Sequence, residues 1–190
     1  MPPQGSAMKS EEVATIKAWV EAGASTSEYG KALSQYFGAL KVSDFNTALS
    51  ACDEIEGMRI PNIPTADIAA TCRLPIYLKN GNESGWTAAA TRIVNNKDLR
   101  SGFLNEIAWR IVDPKSTLKH KDADLGLKAA ELGVEGTGRK AAGYLDTLAW
   151  AYYLKGDKAK ALATEKEAVL CKDAANYQPG LDETVKTFGG

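Results

Sequence analysis

Apolar residues recur three and four positions apart along most of the chain, and Ala and Leu are abundant while β-branched runs are short. This spacing places apolar side chains on one face of a helix. It predicts an all-α protein, with a first helix from Ser10 to Gly23 and two helices paired within residues 25–57. Further helices are predicted near residues 83–95, 99–112, 123–133, 139–154, 159–171 and 181–188.

One proline-containing segment, residues 58–66, breaks the helical pattern. Pro61 and Pro64 lack amide donors and bias the residues before them away from helix. We therefore predict four parts: a tail and helix at 1–24, a helical hairpin at 25–57, a joint at 58–66, and helical repeats at 67–190. Pro75 is expected to interrupt the first helix after the joint.

A short motif occurs twice in the second half of the chain. Ile107-Ala108-Trp109 returns as Leu148-Ala149-Trp150, and the helices that follow also align once a loop insertion after Pro114 is allowed. A fainter third copy precedes them. Small residues at the points of close approach, with large residues around them, favour stacked antiparallel helical hairpins. In the two clearer units the small residues are Ala108, Gly126, Gly133, Ala149, Ala161 and Ala168.

The stretch "YLDTLAWAYYLKGDKAKALATEKEAVL" resembles a tetratricopeptide repeat, which implies an α-solenoid. Glu165 departs from that signature where an aromatic residue is usual, and Asp173 stands where a proline often does. Residues from about 68 to 172 are similar to the helical-repeat tails of some bacterial thioredoxin-like proteins, although the redox CxxC of those proteins is missing. The signature positions are Leu145, Leu148, Ala149, Tyr152, Gly156, Ala161 and Ala168.

The resemblance implies a concave groove lined by the first helix of each pair, which would bind an extended peptide or a partner helix. Aromatic anchors offer a large contact area with few rotatable bonds. The alternative is that the tryptophans are core residues between neighbouring hairpins. Basic residues of the kind that clamp a partner's terminal carboxylate are missing from these positions. The implied groove residues are Asn105, Trp109, Asp146, Trp150 and Tyr153.

The first 24 residues, "MPPQGSAMKSEEVATIKAWVEAGA", resemble the closing piece of a planctomycete-type c-type cytochrome domain. There, a Met-Pro-Pro loop supplies an axial methionine. CxxCH is absent and His120 is the only histidine, so this chain is not expected to bind c-type haem or another cofactor. An ordinary capped amphipathic helix is the alternative interpretation. The chain would be cytoplasmic if Met1 is the true start, or periplasmic or otherwise extracytoplasmic as the accessory C-terminal domain of a longer secreted cytochrome c or thioredoxin-like protein.

Charge and hydropathy narrow the function classes. The chain has 23 Lys and Arg against 24 Asp and Glu, so no basic field favours nucleic acid. No apolar run approaches the roughly 20 residues that span a bilayer, so membrane insertion is not expected. Cys52, Cys72 and Cys171 form no CxxC and predict neither a metal site nor a disulfide framework. They are interpreted as buried thiols, although Cys52 and Cys72 could pair in an oxidising compartment.

The remaining candidates for chemistry have structural explanations. His120 is interpreted as a solvated loop residue, Asn82 as a turn residue, and residues 136–141 (GTGRKA) as a connection between helices rather than a dinucleotide loop. Glu165 and Glu167 are expected on a solvated helix face. No Ser-His-Asp or Cys-His set can be assembled. The sequence therefore predicts a non-enzymatic protein with a protein or peptide partner.

Overall fold

The computed structural model describes residues 27–61, 63–96 and 101–189. Within them the chain forms nine α-helices, one 3₁₀ turn and no strand. The predicted all-α fold is confirmed there, while the predicted helix from Ser10 to Gly23 lies outside the described residues. The helices are α1 (Glu28–Lys41), α2 (Phe45–Gly57), α3 (Thr65–Lys79), α4 (Glu83–Asn95), α5 (Ser101–Val112), α6 (Ala123–Thr137), α7 (Ala142–Leu154), α8 (Lys158–Val169) and α9 (Gly180–Gly189), with the 3₁₀ turn at Ala174–Asn176.

The chain divides into two compact units between Ile76 and Tyr77, within α3. In the first unit, α1 packs on α2, and the first part of α3 completes the core. Alanines on α1 and α2 allow the close approach, and larger side chains fill the space around them. The buried core residues of this unit are Tyr29, Ala32, Tyr36, Ala39, Ala48, Ala51, Cys52, Ile55, Ala69 and Ile76.

The second unit is solenoid-like, because each helix packs against its neighbours in sequence order. The helix pairs α5–α6, α6–α7, α7–α8 and α8–α9 are in contact, and α5 also contacts α7. Gly126 on α6 faces Ile111 and Val112 on α5 so closely that a Cβ there would lie 3.0 Å from Ile111 Cγ2. A small residue at this position is what lets the two helices meet. None of the described helices has the length and apolar character needed to cross a membrane.

Helices α6 and α8 in this unit are capped locally at their starts. The carboxylates of Asp122 and Asp157 accept from the amides of Leu125 and Lys160, each at 3.0 Å, and Gly156 makes the turn before α8 with a φ of 85°. At α7, Ala141 has no side chain that could cap the helix. Asp173 supplies the cap from beyond α8, and its Oδ1 accepts from the Ala142 amide at 3.0 Å.

The predicted interruption at Pro75 is wrong, since α3 runs through it. Proline at this position removes the amide that would bond the carbonyl of Thr71, four residues earlier. The helix therefore loses a single backbone hydrogen bond, and the apolar contacts of Ile76 in the first unit hold the segment helical.

Candidate functional site

A cavity of about 420 Å³ opens among α5, the α5–α6 loop, α7 and α9. Because α5 and α7 are successive first helices of the repeated unit and contact each other, side chains at equivalent positions share one wall. Tyr177, in the segment before α9, and Gly180, the first residue of α9, also line the cavity. The cavity is lined by Trp109, Asp113, Pro114, Lys115, Asp146, Trp150, Tyr177, Gly180, Leu181, Glu183, Thr184 and Thr187.

Three of the five predicted groove residues meet in this wall: Trp109, Asp146 and Trp150. Each of the three is half-buried. Asn105 and Tyr153 do not line the cavity, although they are also half-buried. The structure thus brings Asp146 and Trp150, which are one helical turn apart on α7, together with Trp109, which occupies the position on α5 equivalent to Trp150.

Trp150 also belongs to an aromatic cluster that joins α7 to α9. Its ring lies 4.8 Å from the ring of Phe188 in an edge-to-face arrangement, and Tyr153 stacks on Phe188 at 4.7 Å. Phe188 is buried. Aromatic pairs in this geometry add to the energy of apolar burial. Tyr153 therefore packs with α9, and Trp150 contacts both that cluster and the cavity.

Asp146 is held in the cavity wall by a polar network. Glu165 on α8, the Trp150 indole and Thr184 on α9 all lie close enough to Asp146 to lower its pKa. The Thr184 hydroxyl also lies 3.1 Å from the Gly180 carbonyl, and its single proton serves one acceptor at a time. Helices α7, α8 and α9 therefore all fix the position of one carboxylate.

The interpretation of Glu165 as part of a solvated face is wrong, because its side chain is fully buried. Glu167, two residues later, does lie at the surface and pairs with Arg139 through two nitrogens at 2.9 and 2.6 Å. The difference follows from helical geometry, since residues two apart on a helix point to different sides. Glu165 replaces the aromatic residue expected there and puts a carboxyl group into the core.

Glu165 and Asp146 influence each other's ionisation. Neither oxygen of Glu165 accepts a hydrogen bond from the described residues, and the ionisable group that acts on its pKa is Asp146. Two carboxyl groups bond to each other only when one is protonated. Burial raises the pKa of Glu165 to about 8, helped by the Asp146 charge. Burial raises the pKa of Asp146 to about 6, opposed by its hydrogen bonds to Glu165, Trp150 and Thr184. At neutral pH Glu165 therefore holds the proton and Asp146 the charge.

The charge on Asp146 has no cationic partner in the described part of the chain. The cavity lining as a whole carries three carboxylates, those of Asp113, Asp146 and Glu183, against the single amine of Lys115. A partly buried carboxylate is stabilised when an opposite charge approaches it. The lining is therefore complementary to a cation.

One further buried acceptor lies on α5. Asn105 Oδ1 is buried and has no hydrogen-bond partner among the described residues. Asn105 precedes Trp109 by four residues, as Asp146 precedes Trp150, so the two polar groups occupy equivalent places in the repeated unit. A buried oxygen that accepts no hydrogen bond lowers the stability of the folded protein until a hydrogen-bond donor reaches it.

The carboxyl pair does not have the spacing of the two carboxyl groups of a glycosidase. Those groups stand about 5 Å or more apart so that the substrate fits between them. Glu165 acts directly on the pKa of Asp146 and is itself fully buried. Two other predictions from the sequence concern loop residues. The side chain of His120, which was predicted to be solvated, is 95% exposed. Residues 136–141 lead from the end of α6 to the start of α7, as predicted.

The predicted repeat-packing residues are mostly in the core of the second unit. Leu145, Leu148, Ala149, Ala161 and Ala168 are buried. Tyr152 is half-buried and Gly156 is exposed in its turn. Among the described residues no group of three or more His, Cys, Asp or Glu side chains could hold a metal ion.

No protein-family model, curated protein or solved structure matches the chain. The tetratricopeptide and cytochrome resemblances therefore stay predictions from the sequence. The cavity and its polar network have to be interpreted from their own geometry.

Proposed function

We propose that this chain is a non-catalytic, tetratricopeptide-like interaction module that binds an extended peptide. In this proposal a lysine or arginine side chain of the peptide enters the cavity between Trp109 and Trp150 and pairs with Asp146. The observation that carries the proposal is the half-buried Asp146 carboxylate, which lies in the cavity wall and has no cationic partner among the described residues. A cation near indole faces also gains a cation–π contribution.

The size of the cavity supports a peptide side chain rather than a whole helix as the ligand. An α-helix with its side chains is about 10–12 Å across, so it would not fit inside a cavity of about 420 Å³. One long side chain with part of its backbone would. The carboxylates of Glu183, which is exposed, and of Asp113, which is half-buried, then favour further basic residues on either side of the anchor.

The proposal is tested by selecting peptides from a random display library on the full chain. Enriched peptides are expected to share a lysine or arginine. Their affinity, followed by tryptophan fluorescence, should fall as salt is raised, since charge pairs at a surface are screened.

Two variants locate the binding site. Asp146→Asn keeps the shape of the side chain and removes its charge, so it should weaken binding by about 10-fold or more, and Trp109→Ala should weaken it as well. Asp124→Asn is the matched control, because Asp124 lies on α6, pairs with Lys155 at 2.6 Å and does not line the cavity. Thermal melting checks that each variant is folded. Enrichment of acidic or purely apolar peptides, or full affinity in a folded Asp146→Asn protein, would contradict the proposal.

A further inference from the structure

Two cysteines face each other in the first unit, away from the cavity just described. Cys52 lies on α2 and Cys72 on α3, and the two thiols are near enough for each to shift the pKa of the other. Both belong to one apolar core, in which Cys72 packs against the cluster that contains Cys52. Both are free thiols in this structure.

The helices that carry the two thiols are fixed side by side at this level. The residues next in sequence, Asp53 and Arg73, form an ion pair at 2.6 Å, and the same guanidinium bonds Glu56 at 2.7 Å. On the other side, the Tyr36 hydroxyl donates to the Cys72 carbonyl at 2.9 Å. None of these contacts involves a thiol, and they hold the two helix segments that carry Cys52 and Cys72 near each other.

The two cysteines differ in access and in acidity. Cys52 is fully buried, whereas Cys72 is half-buried. The Cys52 thiol lowers the pKa of Cys72 most. The Tyr36 hydroxyl and the charge of Arg73 lower this pKa further, while burial of Cys72 acts in the opposite direction. The hydrogen bond to Cys72 and burial raise the pKa of Cys52. A partly exposed thiol with a stabilised thiolate is the reactive kind, and a buried thiol waits for an internal partner.

We propose that Cys52 and Cys72 are a redox-active dithiol that closes to an intrachain disulfide, with Cys72 as the attacking thiol and Cys52 as the resolving thiol. The co-reactant is a low-molecular-weight disulfide. The Cys72 thiolate attacks one sulfur of that disulfide, which forms a mixed disulfide and releases one small thiolate that takes up a proton. The Cys52 sulfur then attacks the Cys72 sulfur, and the second small thiol leaves with the Cys52 proton. The two cysteines lose two electrons, and the small disulfide is reduced to two thiols.

The bond would join α2 to α3 across the segment that contains Pro61 and Pro64. The described residues between the two helices are non-helical, so a covalent link would restrict the unfolded chain across a connection that no described helix spans. The oxidised protein should therefore melt at a higher temperature than the reduced protein. Cys171 offers the internal comparison, because its thiol bonds only the Glu167 carbonyl, at 3.7 Å, and its pKa is raised by burial and nearby carboxylates.

The test treats the reduced full-length chain with oxidised glutathione and maps the products by mass spectrometry after thiol blocking. The expected product lacks two hydrogen atoms and contains a peptide pair joined through Cys52 and Cys72. In Cys52→Ser the reaction should stop at a glutathione adduct on Cys72, and in Cys72→Ser both steps should be lost. Cys171→Ser, the matched control, should oxidise as the wild type does. We expect Cys72 to react about 10-fold or more faster than Cys171.

The wild-type protein decides the question even if a variant fails to fold. Equilibration with mixtures of reduced and oxidised dithiothreitol gives the fraction of Cys52–Cys72 disulfide without any substitution. The proposal would be overturned by preferential modification of Cys171 or by disulfides that join two chains. It would also be overturned if Cys52 and Cys72 both stay free thiols in fully oxidising mixtures.

Discussion

Glu165 is the residue whose environment departs most from its sequence context. It lies in a charged stretch, Glu165-Lys166-Glu167, yet its side chain is fully buried and its pKa is raised by burial and by Asp146. An ionised carboxylate in such a place is costly unless it is paired. Protonation removes that cost and supplies the donor that orients Asp146. One buried acid therefore determines which carboxylate of the pair carries charge in the cavity.

This pair makes the stability of the protein depend on pH. Folding raises the pKa of Glu165 from 4.5 to about 8, so above about pH 4.5 the native state keeps a proton that the unfolded chain releases. The free energy of unfolding should therefore fall as pH rises through this range to about 8 and level off beyond it. The slope is at most about 1.4 kcal/mol per pH unit for one proton.

Glu165→Gln should remove this part of the pH dependence, because the amide still donates to Asp146 and does not titrate. Urea denaturation should find the variant more stable than the wild type at about pH 9, with the difference shrinking towards about pH 5. Glu135→Gln, at an exposed position of α6, should follow the wild type. Identical pH slopes for Glu165→Gln and the wild type would show that Glu165 is not protonated in the native state.

At the scale of helices, the contact between α5 and α6 depends on Gly126, which has no side chain. Alanine is the better helix former, by about 1 kcal/mol relative to glycine. A Cβ at Gly126, however, would lie 3.0 Å from Ile111 Cγ2 and 3.2 Å from Val112 Cγ1. Overpacking of this kind costs about 1–3 kcal/mol, so it outweighs the gain in helix propensity.

We therefore expect opposite effects from the same substitution at two glycines within helices. Gly126→Ala should lower the midpoint of thermal unfolding. Gly38→Ala should raise it, because Gly38 lies inside α1 with nothing within 4 Å of an added Cβ. Far-UV circular dichroism during heating measures both. Stabilisation by Gly126→Ala would mean that α5 and α6 do not pack as closely as the structure places them.

At the scale of the whole molecule, the sequence predicted the local features and missed the contacts between distant residues. Helical spacing was sufficient to place most of the described helices near their observed bounds. The cap on α7 could not be predicted, because Asp173 reaches Ala142 from 31 residues away. The cavity wall was predicted in part, since the repeat alignment superposes Trp109 on Trp150. The pair of Asp146 and Glu165 was not predicted, because the charged neighbours of Glu165 indicated a solvated helix face. The one signal available in the sequence was an acidic residue at a repeat position where an aromatic residue is usual.

A solenoid-like unit should respond to damage locally, because each helix is supported mainly by its neighbours in sequence. Phe188 provides the test at the C-terminal end, where it packs on Trp150 and Tyr153. Phe188→Ala removes most of the aromatic contact between α7 and α9. Amide hydrogen exchange followed by mass spectrometry should then speed up in α9 and α8, while α5 and α6 keep their wild-type protection. Lys186→Ala, an exposed change on the same helix, should leave the pattern unaltered. Equal acceleration from α5 to α9 would mean that these helices unfold as one cooperative block, so that nearest-neighbour packing does not govern the stability of this unit.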